Sequence, residues 1–116
     1  MIVVIFEVKP HPQHKQNYLD IAASLREELE QIDGFISVER FQSLSDPKKI
    51  LSVSFFRDEA ALAEWRNLPS HRAAQAKGRA EVFADYRIRV ARVLRDYTMT
   101  ERGETPADSA AMHDNG

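Results

Sequence analysis

The chain has 116 residues, 43% of them hydrophobic and 29% charged, with a net charge of −2 and no cysteine. That length fits one small domain, and the charge gives no electrostatic case for nucleic acid or an anionic membrane. The missing thiols exclude disulfides, thiolate catalysis and zinc–thiolate sites, and no apolar run approaches the roughly 20 residues of a membrane span.

Ile2 to Val8 is β-branched and aromatic, which predicts a first strand. No basic segment precedes it and Glu7 interrupts it, so it reads as a strand rather than a signal peptide, with the cytoplasm as the expected location. Both alternating sets are apolar: Ile2, Val4, Phe6 and Val8 on one side, Val3 and Ile5 on the other. Such a strand has to be covered on both faces. Pro10-His11-Pro12 stops it, and the spacing of Tyr18, Ile21, Ala22, Leu25, Leu29 and Ile32 predicts a helix from about Gln13 to Ile32. Asp33-Gly34 ends that helix. Phe35 to Ser43 and Ile50 to Phe56 read as two strands joined by the hairpin residues Ser45 to Lys49. Asp58 suits the N-cap of a short helix holding Ala60, Ala61, Leu62 and Trp65. Pro69 breaks that helix, and Ser70 is the expected cap of another running to about Phe83. Tyr86 to about Val93 is the last strand.

The order β-α-β-β-α-β predicts an α+β fold, a ferredoxin-like antiparallel sheet with its helices on one face. The other face, with Val3, Ile5 and Val53 or Phe55, holds too much apolar surface to stay wet, so a homodimer packed through it is expected. Two segments are expected: a domain over residues 1–97 and a flexible polar tail over 98–116.

His71 is the leading candidate for chemistry, as a base or axial ligand that titrates near neutral pH; the alternative is a capping histidine in a first helical turn. Gln75 and Arg79 follow it on one stripe. That stripe is either a pocket wall or the wet side of a helix whose Ala73, Ala76 and Ala80 form core. Trp65, the sole tryptophan, fits core and pocket equally well. Phe6, Phe41, Phe55, Phe56 and Phe83 are candidates for an aromatic cavity lining, with packing as the alternative for most of them. Glu39 and Arg40 point to opposite faces, so one of them looks into the interior, where it needs a partner. His11 and His14 have the spacing of a metal pair but no matching carboxylate, and no metal site is expected. Arg87 and Arg89 could hold an anionic group but better suit a solvent or interface edge.

Three local patterns carry a family likeness: Asp33-Gly34-Phe35 entering a strand, Ser54-Phe55-Phe56-Arg57-Asp58-Glu59-Ala60-Ala61 from strand to helix, and Trp65 followed by Ser70-His71. With the element order, these make residues 1–97 resemble the antibiotic biosynthesis monooxygenase (ABM) domain family of dimeric α+β barrels. Many members carry Glu-x-Trp on the third strand, then two histidines six residues apart. Here Ser54 and Phe56 stand at the Glu and Trp positions, Trp65 at the first His and His71 at the second. The resemblance implies a pocket between sheet and helices in which a small aromatic or quinol substrate is oxygenated without a cofactor. His71 would be the catalytic base, with Trp65, Gln75, Phe6, Phe56 and Phe83 contacting the small hydrophobic or aromatic ligand. A non-catalytic ligand-binding or stress-associated module is the alternative, marked by a histidine-free cavity with His71 turned outward. A related branch that binds and degrades haem uses an Asn in the first strand, a Trp on the second helix and a His ten residues on. Trp65 matches that pattern, whereas Gln75 and the first-strand Phe6-Glu7 depart from it.

Overall fold

The computed structural model describes residues 1–113. Strand β1 (Ile2–Pro10) leads through a tight 3-10 turn at Pro12–His14 into helix α1 (Lys15–Glu30). Strands β2 (Phe35–Gln42) and β3 (Ile50–Phe56) form the hairpin, and helices α2 (Glu59–Arg66) and α3 (Pro69–Lys77) follow. A π-helical turn at Gly78–Val82 connects α3 to strand β4 (Phe83–Arg92), and a short helix α4 (Ala107–His113) lies near the end. The sheet runs β2-β3-β1-β4 with every neighbouring pair antiparallel, the ferredoxin-like arrangement.

Local chemistry explains most element ends. The Asp58 carboxylate accepts the backbone N–H of Ala61 at 2.9 Å, capping α2 as expected. Gly34 has φ +93, and a Cβ there would sit 2.9 Å from that of Ala61, so the α1–β2 turn needs glycine on both counts. Two expectations are corrected. Ser70 does not cap α3: Pro69 stands at its first turn, where no N–H is required, and the Ser70 hydroxyl donates instead to the Glu28 carboxylate on α1. The helical segment runs to Val82, close to the expected end, but leaves α geometry at Lys77 for the π turn; β4 then begins at Phe83 rather than Tyr86, beside Pro10, where the β1–β4 register shifts.

Among the described residues the interior consists of two separate apolar clusters on the helix side of the sheet. One joins Ile2, Phe56, Leu29, Ile32, Ala61 and Leu62, with Trp65 and Val4 packed against it. The other joins Val8, Tyr18, Ile50 and Val82, with Phe6 and Phe83 packed against it. Between them the sheet presents Ser52 and Ser54, the two inward positions of β3 that lie between Ile50 and Phe56. Two short side chains where the flanking positions are large leave room above the middle of the sheet.

On the opposite face Val3 pairs with Phe55 and Ile5 with Val53, and all four are half-buried in the single chain. After Arg92 the chain leaves the sheet: the Val93 N–H still donates to the Met1 carbonyl, Thr98 and Glu101 close a turn, and Arg102 lies over the Tyr97 ring. Positions 114–116 of the expected tail lie outside the described residues. Among the described residues no helix is long and apolar enough to cross a membrane.

Candidate active site

A cavity of about 300 Å3 occupies the gap between the two clusters. Its floor is Val4 and Phe6 of β1 with Ser52 and Ser54 of β3, and α1 supplies an apolar wall through Ile21, Leu25 and Leu29. Trp65, His71 and Gln75 come from α2 and α3, and Phe83, Tyr86, Ile88 and Val90 close the β4 side. The volume is at the low end for small-molecule sites, and the lining follows their usual pattern of apolar surface with a few polar groups.

His71 and Trp65 form a stacked pair, ring centroids 4.2 Å apart and planes 20° apart. The Asn67–Leu68 linker that precedes Pro69 folds the first turn of α3 back on the last turn of α2, which brings the rings together. The Nδ1 atom of His71 is buried and makes no hydrogen bond of ordinary geometry. Burial pushes the imidazole below its usual value of 6.5; the carbonyls of Trp65 and Arg66 oppose that in part, and the charge of Arg72 reinforces it. At neutral pH the ring is therefore uncharged and holds a nitrogen able to accept a proton.

Across the cavity Phe6, Phe83 and Tyr86 meet edge-on or tilted at 5.8–5.9 Å, and Tyr18 joins Phe83 at 6.0 Å. Gly78 makes room for this cluster: a Cβ there would lie 2.5 Å from two ring carbons of Phe83. The structure thus brings His71, Trp65, Gln75, Phe6 and Phe83 to one cavity. Phe56 is the exception and is corrected: it is fully buried in the first cluster, against Ile2 and edge-on to Phe35 at 5.9 Å, and does not reach the cavity. It lies where β3 runs under α2, and Ser54 takes the inward position nearest the open space.

The open choices resolve on the α3 stripe and on β2. His71, Gln75 and Arg79 line the cavity, while Ala73, Ala76 and Ala80 are exposed. Arg40 looks into the cavity and Glu39 lies on the outer face. Arg89 is on the outer face too, 3.5 Å from Glu7. The His14 ring bonds Asn17, and among the described residues no group of three or more His, Asp or Glu could hold a metal. Ser52, Ser54, Tyr18 and Tyr86 were missed; the signal for the serines was two small residues at inward positions of an otherwise bulky strand. Haem fits the lining poorly. Gln75 offers no imidazole, the first strand presents Phe6, and the one histidine among the described lining residues is stacked flat on Trp65.

The fold recurs in solved structures. A protein of Deinococcus radiodurans superposes with a TM-score of 0.75 at 16% identity, over 86% of this chain and 99% of that one. A protein of Mycobacterium tuberculosis gives 0.74 at 18% identity, over 84% and 98%. In sequence, the chain is 53% identical over 93 residues to a protein of Pyricularia oryzae named jasmonate monooxygenase ABM. That match takes in 80% of this chain but only 43% of the relative, so the chain spans less than half the relative's length. The family model described as antibiotic biosynthesis monooxygenase matches residues 1–77. On these grounds, and with a ferredoxin-like sheet that holds the cavity under its helices, the chain belongs to the antibiotic biosynthesis monooxygenase family.

Proposed function

We propose that the chain is a cofactor-independent monooxygenase that oxidises a small, largely apolar substrate in this cavity, with His71 as the catalytic base. The observation that carries the reading is the half-buried His71 imidazole, stacked flat on Trp65 in a largely apolar lining where burial lowers its pKa. A base in such a place removes a proton from an acidic quinol or from a methylene activated by aromatic carbonyl groups. The carbanion then reduces dioxygen. A CH2 group and O2 give a carbonyl and water, all four electrons coming from the substrate, so no external reductant enters. A histidine-free cavity would have favoured a non-catalytic binding module; His71 in the wall argues against it. The relative's name adds jasmonate, a small alicyclic acid, to the substrates worth testing.

The same reading includes a homodimer. Val3, Ile5, Val53 and Phe55 make a contiguous apolar strip on the outer sheet face, and a second copy of that strip is its natural cover.

Oxygen uptake tests the enzymatic reading, with an anthrone, a quinol and jasmonic acid offered in turn under 18O2. The expected result is label in the product and a loss of about 10²- to 10⁴-fold in rate for His71→Ala, the usual contribution of a general base. Turnover that survives His71→Ala unchanged, or no turnover with any of the three, overturns it.

A further inference from the structure

Among the described residues the charges in the cavity lining are all of one sign. Arg26, Arg40, Arg66 and Arg79 contribute to it, and no described aspartate or glutamate does. Arg26 is tied to Glu30 by a 2.9 Å ion pair, and Arg66 and Arg79 are largely exposed. Arg40 differs from all three. It stands on the inward side of β2, and its Nε is buried without a hydrogen-bond partner. Among the described residues its guanidinium makes no ion pair or hydrogen bond. A buried guanidinium donor without an acceptor is costly, and a planar fork of N–H donors matches a carboxylate in two parallel bonds.

The sheet register gives this charge a direction. One row runs across the floor from Arg40 on β2 to Ser52 on β3, Phe6 on β1 and Ile88 on β4. With about 4.8 Å between strands, the row carries a cation at one end and apolar side chains about 10–14 Å away at the other. Ser52, between them, leaves the floor open. At the Arg40 end the cavity borders a shallow recess along the β2 edge, which Arg40, Arg26 and Val38 also line.

We propose that Arg40 anchors the carboxylate of the substrate, so that the cavity selects small organic acids with an apolar body over their neutral counterparts. This rests on the reading of the cavity as the substrate site. The acid group lies on Arg40, the apolar body crosses Ser52 toward Phe6 and Ile88, and the charge fixes which part of the molecule is presented to His71. Arg40 is a specificity-determining residue in this arrangement, and His71 keeps the chemistry.

Trp65 is the only tryptophan and sits in the lining, so its fluorescence reports occupancy directly. The full chain is titrated at pH 7 with jasmonic acid and methyl jasmonate, and with decanoic acid and methyl decanoate. Each pair differs in charge and little else. The expected result is acids bound at least tenfold more tightly than their esters, with Arg40→Met bringing the ratio close to one by weakening the acids alone. Arg40→Lys keeps part of the preference, and circular dichroism checks that each variant is folded. An acid-to-ester ratio near one in the unmodified chain, or one that persists in Arg40→Met, overturns the anchor while leaving the cavity as the ligand site. Failure of all four compounds to bind overturns the cavity reading and the anchor with it.

Discussion

The imidazole of His71 lies on the indole of Trp65 at a centroid distance of 4.2 Å, one ring from the start of α3 and the other from the end of α2. The stack fixes the plane of the histidine from one side, while the nearby carbonyls of Trp65 and Arg66 favour a proton on the ring and its Nδ1 makes no hydrogen bond of ordinary geometry. A base oriented mainly by packing leaves one ring nitrogen available to a ligand. The same contact makes Trp65 a reporter for the protonation of His71.

Stability and fluorescence should therefore share one pH dependence. The folded-state pKa of His71 is lowered from 6.5, chiefly by burial, so the unfolded chain binds the extra proton first. This contribution to stability is complete above pH 6.5 and is lost as pH falls through the folded value. Asp46 and Asp58 are also lowered, from 3.8, by backbone hydrogen bonds from Lys48 and Ala61 and by neighbouring cations, so their losses come at lower pH. Thermal melts between pH 7 and pH 5 should show a decline that is shallower in His71→Ala. Trp65 emission should titrate with a midpoint below 6.5 in the unmodified chain and stay flat in the variant. Parallel melting curves for the two proteins would count against a buried neutral imidazole.

Neighbouring inward positions of β3 should respond in opposite ways. Phe56→Ala removes a fully buried ring from the first cluster and should cost about 3–5 kcal/mol in chemical denaturation. Ser54→Leu places an apolar side chain in the open space, so folding should be nearly unaffected, within about 1 kcal/mol, as the new methyl groups are buried. Ligand quenching of Trp65 should disappear in Ser54→Leu. Retained binding there would mean that the ligand sits elsewhere.

Ile5 gives the clearest reading of assembly. It is half-buried on the outer sheet face opposite Val53, beside the Glu7–Arg89 pair. Size-exclusion chromatography with light scattering should give the mass of two chains for the unmodified protein and of one for Ile5→Glu, since a dimer would bury a second carboxylate beside Glu7 with only Arg89 to share. A monomer at micromolar concentration before any substitution would remove the argument for a paired face.

Periodicity along the chain was enough for the element order, the apolar stripe of α1, the turn at Gly34 and the Asp58 cap, because each depends on residues within a few positions of one another. It also placed Trp65 and His71 in neighbouring helical segments. It could not stack them, since the ring contact depends on the fold-back at Asn67–Leu68 between the two helices and not on the period of either. Alternation likewise put Glu39 and Arg40 on opposite faces, and Ser52, Ser54 and Phe56 on one, without telling which face the helices cover or where along it the cover ends. Tertiary packing made those choices: α2 closes over Phe56 and leaves the serines open, and the helices lie on the Arg40 side of β2. A period of two residues records which side chains share a face. Only the elements packed against that face decide whether they become core, cavity floor or surface.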